Sequence, residues 1–373
     1  MSEVLVVTHY TEIPGVSHHL MKYIKQKGIP ATFLFLPLNK HKPLPYQILK
    51  VNKNKIITLK REYPNTYISD IVFIITNALT NWDIYIGVNS FNTLLGIILK
   101  IVLKKRAVIF YSVDYSPNRF SNKLLNIIYK IIDTIASRYS DYIWCTTKRM
   151  IYARSKQRGR LEGIIHVPNG TWISYNYREL RKEKEDNNGN VINLVFVGYI
   201  GRQFDLDLLI SEVNRRRRVK LHIFGDGPQK KYLELIADKE KVKFYGRYPH
   251  DQIMKILLRK RWIGIAPYNK KVSHVLYGSP LKVIEYLSCG LPVIVSNIVE
   301  IAKDIESRKC GFVYSTYEQL KKVLNKMEEL HEDNRLNDLY EEMSKNAVIF
   351  AMRFYWPYIY DKSIQKLLQR NNP

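Results

Sequence analysis

Cysteine is scarce in this chain of 373 residues: Cys145, Cys289 and Cys310 are the only three. They share no disulfide or metal-ligand spacing, which argues against a disulfide-stapled scaffold or a zinc ribbon and points to a reducing compartment. Long apolar runs are missing as well. The longest, FNTLLGIILKIVLKK at 91–105, contains Lys100 and falls short of the roughly 20 residues a membrane-spanning helix needs. It reads as a core helix, or as a helix lying on a membrane surface, since Lys104, Lys105 and Arg106 close it. At the N-terminus Glu3 interrupts any signal-peptide pattern, and the apolar run that follows is only strand length. A cytoplasmic protein is expected, at most peripheral at the cytoplasmic face of a membrane. Acidic residues are also few, 34 Asp+Glu against 59 Lys+Arg, giving a net charge of +25. Residues 1–175 hold 24 basic and 9 acidic residues, a net +15; the remainder holds 35 and 25, a net +10. Such a surface suits a polyanion (nucleic acid, anionic lipid or a phosphorylated substrate) or is simply a solvated basic surface.

Hydrophobic residues make up 46% and charged residues 25%, enough to build sizeable cores. Short β-branched runs alternate with helix-period segments. EVLVVTHY (3–10), ATFLFLPL (31–38), IYIGV (84–88), AVIFYSV (107–113), DYIWC (141–145) and GIIHV (163–167) read as buried strands. The rhythm breaks at VPNGT (167–171), and the polar stretch RKEKEDNNGN (181–190) reads as a linker. It resumes with VINLVFVG (191–198), VKLHIFG (219–225), VKFYG (242–246), IGIAPY (263–268) and PVIVS (292–296). Buried strands with crossover helices mean parallel sheet, so the class is α/β with two doubly wound, Rossmann-like domains. Their boundaries are expected at 1–170 and 171–350, with a C-terminal helical segment, 351–373, kinked at Pro357. Ligands of open α/β sheets bind outside the carboxyl ends of the strands, so a cleft faced by both domains is expected.

The strand-end loops hold the candidates. VFVGYIGRQFD (195–205) places Gly198, Gly201 and Arg202 between a strand and a helix, suited to an anion or to a plain turn. IFGDGPQ (223–229) is a similar tight turn. In YGSPLKVIEYLSCGLPVIVSN (277–297), Ser273 or Ser279 is expected to cap a helix that Pro280 starts and Gly290 stops. Lys282 and Glu285 then lie one turn apart on one face. They could form an ordinary surface pair, but the flanking Leu281, Val283, Ile284 and Leu287 argue for a packed helix. Charges on such a helix suit a ligand: a lysine for phosphate, a carboxylate for a pair of hydroxyls.

The stretch SPLKVIEYLSCGLPVIVS resembles the donor-binding signature of nucleotide-sugar glycosyltransferases of the GT-B fold, in particular glycosyltransferase family 4 (glycosyl transferases group 1). VPNG, LVFVGYIG, IFGDGP, VKFYGRYP, IAPY and CGFVYS accompany it in the same order. The resemblance implies that Glu285 holds the ribose. Lys282 would hold the diphosphate, with Arg202, the amides of Gly198 and Gly201, and the main chain from Ser279 to Leu281. Tyr245 would lie near the base, Gly15 would approach the diphosphate from the first domain, and the C-terminal helix would return to that domain. One departure is plain: Tyr277 stands eight residues before Glu285, where the family usually has a second carboxylate.

In the first half, HYTEIPGVSHHL (9–20) and FYSVDYSPNRFSN (110–122) resemble the family's substrate loops. His9 and Arg119 are acceptor-side candidates, and Asp114 is the candidate catalytic residue, either a base for the acceptor hydroxyl or a group that orients it. No Asp-x-Asp metal pair stands at a strand end, and no cofactor or metal is expected beyond the nucleoside-diphosphate sugar itself. The implied reaction is transfer of that sugar to a hydroxyl of a glycan or lipid-linked glycan, with retention, in cell-surface polysaccharide or glycoconjugate synthesis. An anionic membrane is a further candidate partner. Two other readings are an epimerase of the same fold and a non-catalytic nucleic-acid binder, although the basic residues are scattered and no nucleic-acid motif is present.

Overall fold

All the apolar runs read as strands lie in β-ladders of the computed structural model, which describes residues 3–10, 15–38, 45–52, 55–64, 66–117, 119–172 and 191–369. The expected linker at 181–190 lies outside the described residues. The chain divides into two units. The first runs to Pro168 and takes in the chain from Tyr360 onward; the second is Asn169–Ile359.

The first unit contains β1 (Val4–Tyr10), α1 (Val16–Lys27), β2 (Ala31–Pro37), β3 (Tyr46–Asn52), β4 (Lys55–Arg61), α2 (Tyr67–Ala78), β5 (Ile84–Val88), α3 (Ser90–Leu103), β6 (Ala107–Ser112), α4 (Lys123–Tyr139), β7 (Tyr142–Cys145), α5 (Lys148–Arg158) and β8 (Ile164–His166). Its sheet order is β4-β3-β2-β1-β5-β6-β7-β8. The ladders from β2 through β1 to β8 are parallel, and their strands are buried on both faces, as crossover helices require. The β3–β4 hairpin, with β3 antiparallel to β2, adds an antiparallel edge to this otherwise parallel sheet. Every residue of β4 is exposed, so it carries no buried-strand signature.

The second unit contains β9 (Ile192–Val197), α6 (Leu206–Asn214), β10 (Val219–Phe224), α7 (Lys230–Ile236), β11 (Val242–Gly246), α8 (His250–Arg259), β12 (Ile263–Ala266), α9 (Leu281–Ser288), β13 (Val293–Ser296), α10 (Ala302–Ser307), β14 (Gly311–Tyr314), α11 (Tyr317–Glu332) and α12 (Leu336–Ala351). Its sheet, β11-β10-β9-β12-β13-β14, is parallel throughout. A last helix, α13 (Trp356–Gln369), begins in this unit and from Tyr360 belongs to the first. There the Tyr360 hydroxyl donates to the Val16 carbonyl, and Asp361 accepts from Tyr23 and Lys27.

Two helix ends match the sequence signals, since Gly28 directly after α1 and Gly290 one residue past the C-cap of α9 both take positive φ. Two details differ. The helix break falls at 352–355, and Pro357 sits in the first turn of α13, where a missing N–H costs nothing. Ser279 does not cap α9; its Oγ accepts the Asn169 amide instead, and Pro280 precedes the helix without a side-chain cap.

Helix α9 is the element that places the charged pair. Val283, Ile284, Tyr286 and Leu287 are buried on it. Burial of an aliphatic side chain of this size contributes roughly 1.5–3 kcal/mol. The Tyr286 hydroxyl accepts the Val197 amide at 2.7 Å, and the Ser344 hydroxyl donates to the Gly290 carbonyl. These bonds fasten the C-terminal half of the helix, and its first turn lies beside the loop that leaves β9.

Candidate functional site

In the second unit the Lys282 Nζ is out of reach of solvent and has no hydrogen-bond acceptor among the described residues. It lies 3.8 Å from the Phe196 ring centroid and 3.6 Å from that of Phe204. Two aromatic faces attract an ammonium by about 2 kcal/mol or more when desolvated, yet they do not replace the three hydrogen bonds it makes in water. Burial accordingly pushes the Lys282 pKa well below its ordinary value, and the nearby Glu285 only partly opposes this. A phosphate oxygen would supply the missing acceptor and the missing charge. Gly198 gives the ammonium room, because a Cβ there would come within 3.2 Å of Nζ.

Glu285 is 17% exposed, and its Oε1 lies 2.7 Å from His250 Nε2 at the start of α8. That bond raises the His250 pKa against the opposing effect of burial. A carboxylate in this setting can take two vicinal hydroxyls once the imidazole yields. His250 was not legible as a site residue, since 35 positions separate it from Glu285.

The remaining donor-side residues divide. The Gly198 amide donates to the Phe224 carbonyl and the Leu281 amide to the Ser279 carbonyl, so neither is open to a ligand as the loop stands. The Gly201 amide has no such partner among the described residues. Arg202 is exposed on the same loop. The GDG turn packs under it: a Cβ on Gly225 would come 1.8 Å from the Gly198 carbonyl oxygen, so glycine there serves the close approach of two loops. Tyr245 stacks on Phe224, centroids 4.4 Å apart, and meets His222 Nδ1 with its hydroxyl at 2.9 Å.

In the first unit the structure gathers His9, Asp114 and Arg119 around one cavity of about 370 Å³. Asp114 and Arg119 form an exposed ion pair at 3.0 Å. His9 Nδ1 meets Asn89 Nδ2 at 3.0 Å. Asn89, a lining residue the sequence did not reveal, has φ 78° and ψ 167°, a region that glycine alone populates readily. It persists there while its Oδ1 caps α3 through the Asn92 amide. Asp133 and Arg154, both about 1% exposed, make a buried ion pair at the same cavity, and Asp133 Oδ1 has no hydrogen-bond partner among the described residues. Gly15 lies apart from this lining; it precedes α1, and its amide donates to His18 Nδ1 at 3.3 Å.

Two α/β units, each built on a mainly parallel sheet, match the GT-B fold, and the second holds a buried cation and a carboxylate on the helix beside the β9 loop. Residues 177–348 match the family described as Glycosyl transferases group 1. Three solved structures share the fold. Alr3699/HepE of Anabaena, in complex with UDP-glucose, is 17% identical, covers 99% of this chain and 100% of its own, and has a TM-score of 0.69. Sucrose-phosphate synthase of Thermosynechococcus elongatus is 13% identical over 99% of each chain, with a TM-score of 0.73. WaaG, a glycosyltransferase involved in lipopolysaccharide biosynthesis, is 15% identical over 97% of this chain and 98% of its own, with a TM-score of 0.60. Comparison with curated proteins finds no significant match. The epimerase and nucleic-acid readings receive no support from these likenesses.

Proposed function

We propose that the chain is a family 4-like enzyme that transfers a sugar from a nucleoside-diphosphate sugar to a hydroxyl of a glycan or lipid-linked glycan. Cell-surface polysaccharide or glycoconjugate synthesis is the setting, at the cytoplasmic side of a membrane. The observation that carries the reading is the buried, acceptor-less ammonium of Lys282, three residues from Glu285 on an anchored helix. UDP is the first nucleotide to test, since the fold relative HepE was solved with UDP-glucose.

Lys282 meets the diphosphate, with Arg202 and the Gly201 amide adjacent, and Glu285 takes the ribose hydroxyls. Charge that develops on the leaving diphosphate is stabilised by fixed cations that need no reorganisation. Neither a metal nor a cofactor is required in this scheme. Asp114 and Arg119 orient the acceptor hydroxyl, and the leaving phosphate takes its proton, which corresponds to retention. Tyr277, in place of the family's second carboxylate, leaves the donor sugar to other contacts.

The test is release of nucleoside diphosphate from UDP-, GDP- and ADP-sugars, with and without EDTA. Release from one nucleotide class, unaffected by EDTA and lost in Glu285→Ala, is expected. Release that depends on a divalent metal would contradict the scheme, and equal release by the variant would remove Glu285 from it.

A further inference from the structure

Helices α2, α3 and α4 all expose large aliphatic side chains, and α4 is inverted relative to an ordinary surface helix, burying only Asp133, Ala136 and Ser137. The three helices carry two carboxylates, Asp70 and Asp133, and both are buried: Asp70 accepts from the Tyr46 hydroxyl, and Asp133 pairs with Arg154. Large aliphatic side chains point to solvent instead. Ile68, Val72 and Ile75 stand at i, i+4 and i+7 on α2, and Leu124, Ile127 and Ile131 at i, i+3 and i+7 on α4. Between them α3, which packs against both neighbours, exposes Ile101 and Val102 at 72% and 70%. Isolated exposed aliphatics are normal, but stripes on α2 and α4 with exposed aliphatics on α3 between them mark an interaction surface. Exposed Lys104 and Arg106 follow α3, and exposed Lys123 and Lys130 flank the α4 stripe. The exposed acids nearest in sequence are Glu62 before α2, Asp83 after it and Asp114 before α4, the last paired with Arg119.

We propose that this face docks on an anionic lipid bilayer. Apolar side chains in the boundary region and cations at the headgroups match such a surface in both respects. A nucleic acid would leave the aliphatic stripes unexplained, and a second copy of the chain would bring like charges together. No helix among the described residues is long and apolar enough to cross a membrane, so the contact is with the surface. The cavity that holds His9, Asp114 and Arg119 is bordered by Tyr67, Phe91, Leu125 and Ile128 of these same helices. An acceptor with its head in that cavity can keep an apolar tail in the bilayer; this last step rests on the proposed transfer, whereas the docking does not.

The test is co-sedimentation of the full chain with phosphatidylcholine vesicles, with and without phosphatidylglycerol. Wild type is expected to sediment with the anionic vesicles and to be released by salt. Lys123→Glu/Lys130→Glu should weaken binding about fivefold or more per cation. Ile127→Ser/Ile131→Ser should also lose it, while UDP binding, read by calorimetry as a check on folding, stays as in wild type. Vesicle binding with no binding of UDP, GDP or ADP in wild type would overturn the donor reading alone. Wild type left in the supernatant, both double variants sedimenting like wild type, or dimerisation through this face without vesicle binding would each overturn the docking proposal.

Discussion

Helices α8 and α4 differ in which side chains they bury. On α8, Ile253, Met254, Leu257 and Leu258 face the core while His250, Asp251, Lys255 and Arg259 face water. On α4, the buried residues are Asp133, Ala136 and Ser137, and leucines and isoleucines face out. The hydrophobic effect explains α8 without a partner. Helix α4 is explained only when its outer face has a second environment and its inner face a polar one. The second unit thus keeps one unsatisfied charge inside an otherwise regular domain, whereas the first keeps an unsatisfied surface. Each anomaly points to a ligand of opposite character, a diphosphate for one and a lipid layer for the other.

The largest expected effect is at Glu285. Replacement by alanine would remove the two charged hydrogen bonds proposed to the ribose, worth roughly 3 kcal/mol together, so nucleotide affinity should fall about a hundredfold. A fall of less than threefold in a calorimetric titration would place the ribose elsewhere. Next is the cost of the buried ammonium. Since the Lys282 pKa lies below its ordinary 10.5, unfolded chains bind more protons between the two values, and stability rises with pH across that window. Lys282→Met should therefore raise the unfolding free energy, by about 1 kcal/mol, while it abolishes diphosphate binding. A melting temperature lower than that of wild type would show that the aromatic contacts outweigh desolvation.

A smaller effect concerns pH. The His250 pKa is raised by Glu285, so this pair adds stability that is complete below the ordinary 6.5 and is lost as pH rises through the raised value. The same deprotonation frees Glu285, and nucleotide affinity should increase with pH over that range. His250→Ala should flatten the dependence; an unchanged slope would assign it to another group. The smallest effect is at Asn89. Glycine relieves a backbone strain of about 1–3 kcal/mol but loses the cap and the His9 contact. A slightly higher melting temperature with slower transfer is expected, and a lower melting temperature would show that the cap dominates.

The sequence made the regular parts visible because their causes are local. Buried strands such as VIVS carry their own apolar pattern, and Gly28 and Gly290 mark helix ends by the conformations open to glycine. Lys282 and Glu285 stood out because charge is improbable on a packed helix. Other parts depend on contacts between distant residues. Strand β4 is exposed at every position, so pairing rather than burial makes it a strand. The Gly198 amide looked available until the Phe224 carbonyl came alongside it, and Ser279 served a neighbouring loop rather than its own helix. The inverted burial of α4 needed Arg154, 21 residues from Asp133, before its polar face had a reason to turn inward.

The most direct test of the central claim is calorimetric titration of wild type, Lys282→Ala and Glu285→Ala with UDP, GDP and ADP. The account predicts that wild type binds one of the three selectively and that both variants lose that binding while remaining folded. Equal binding by wild type and both variants, or no binding by a folded wild type to any of the three, would contradict it.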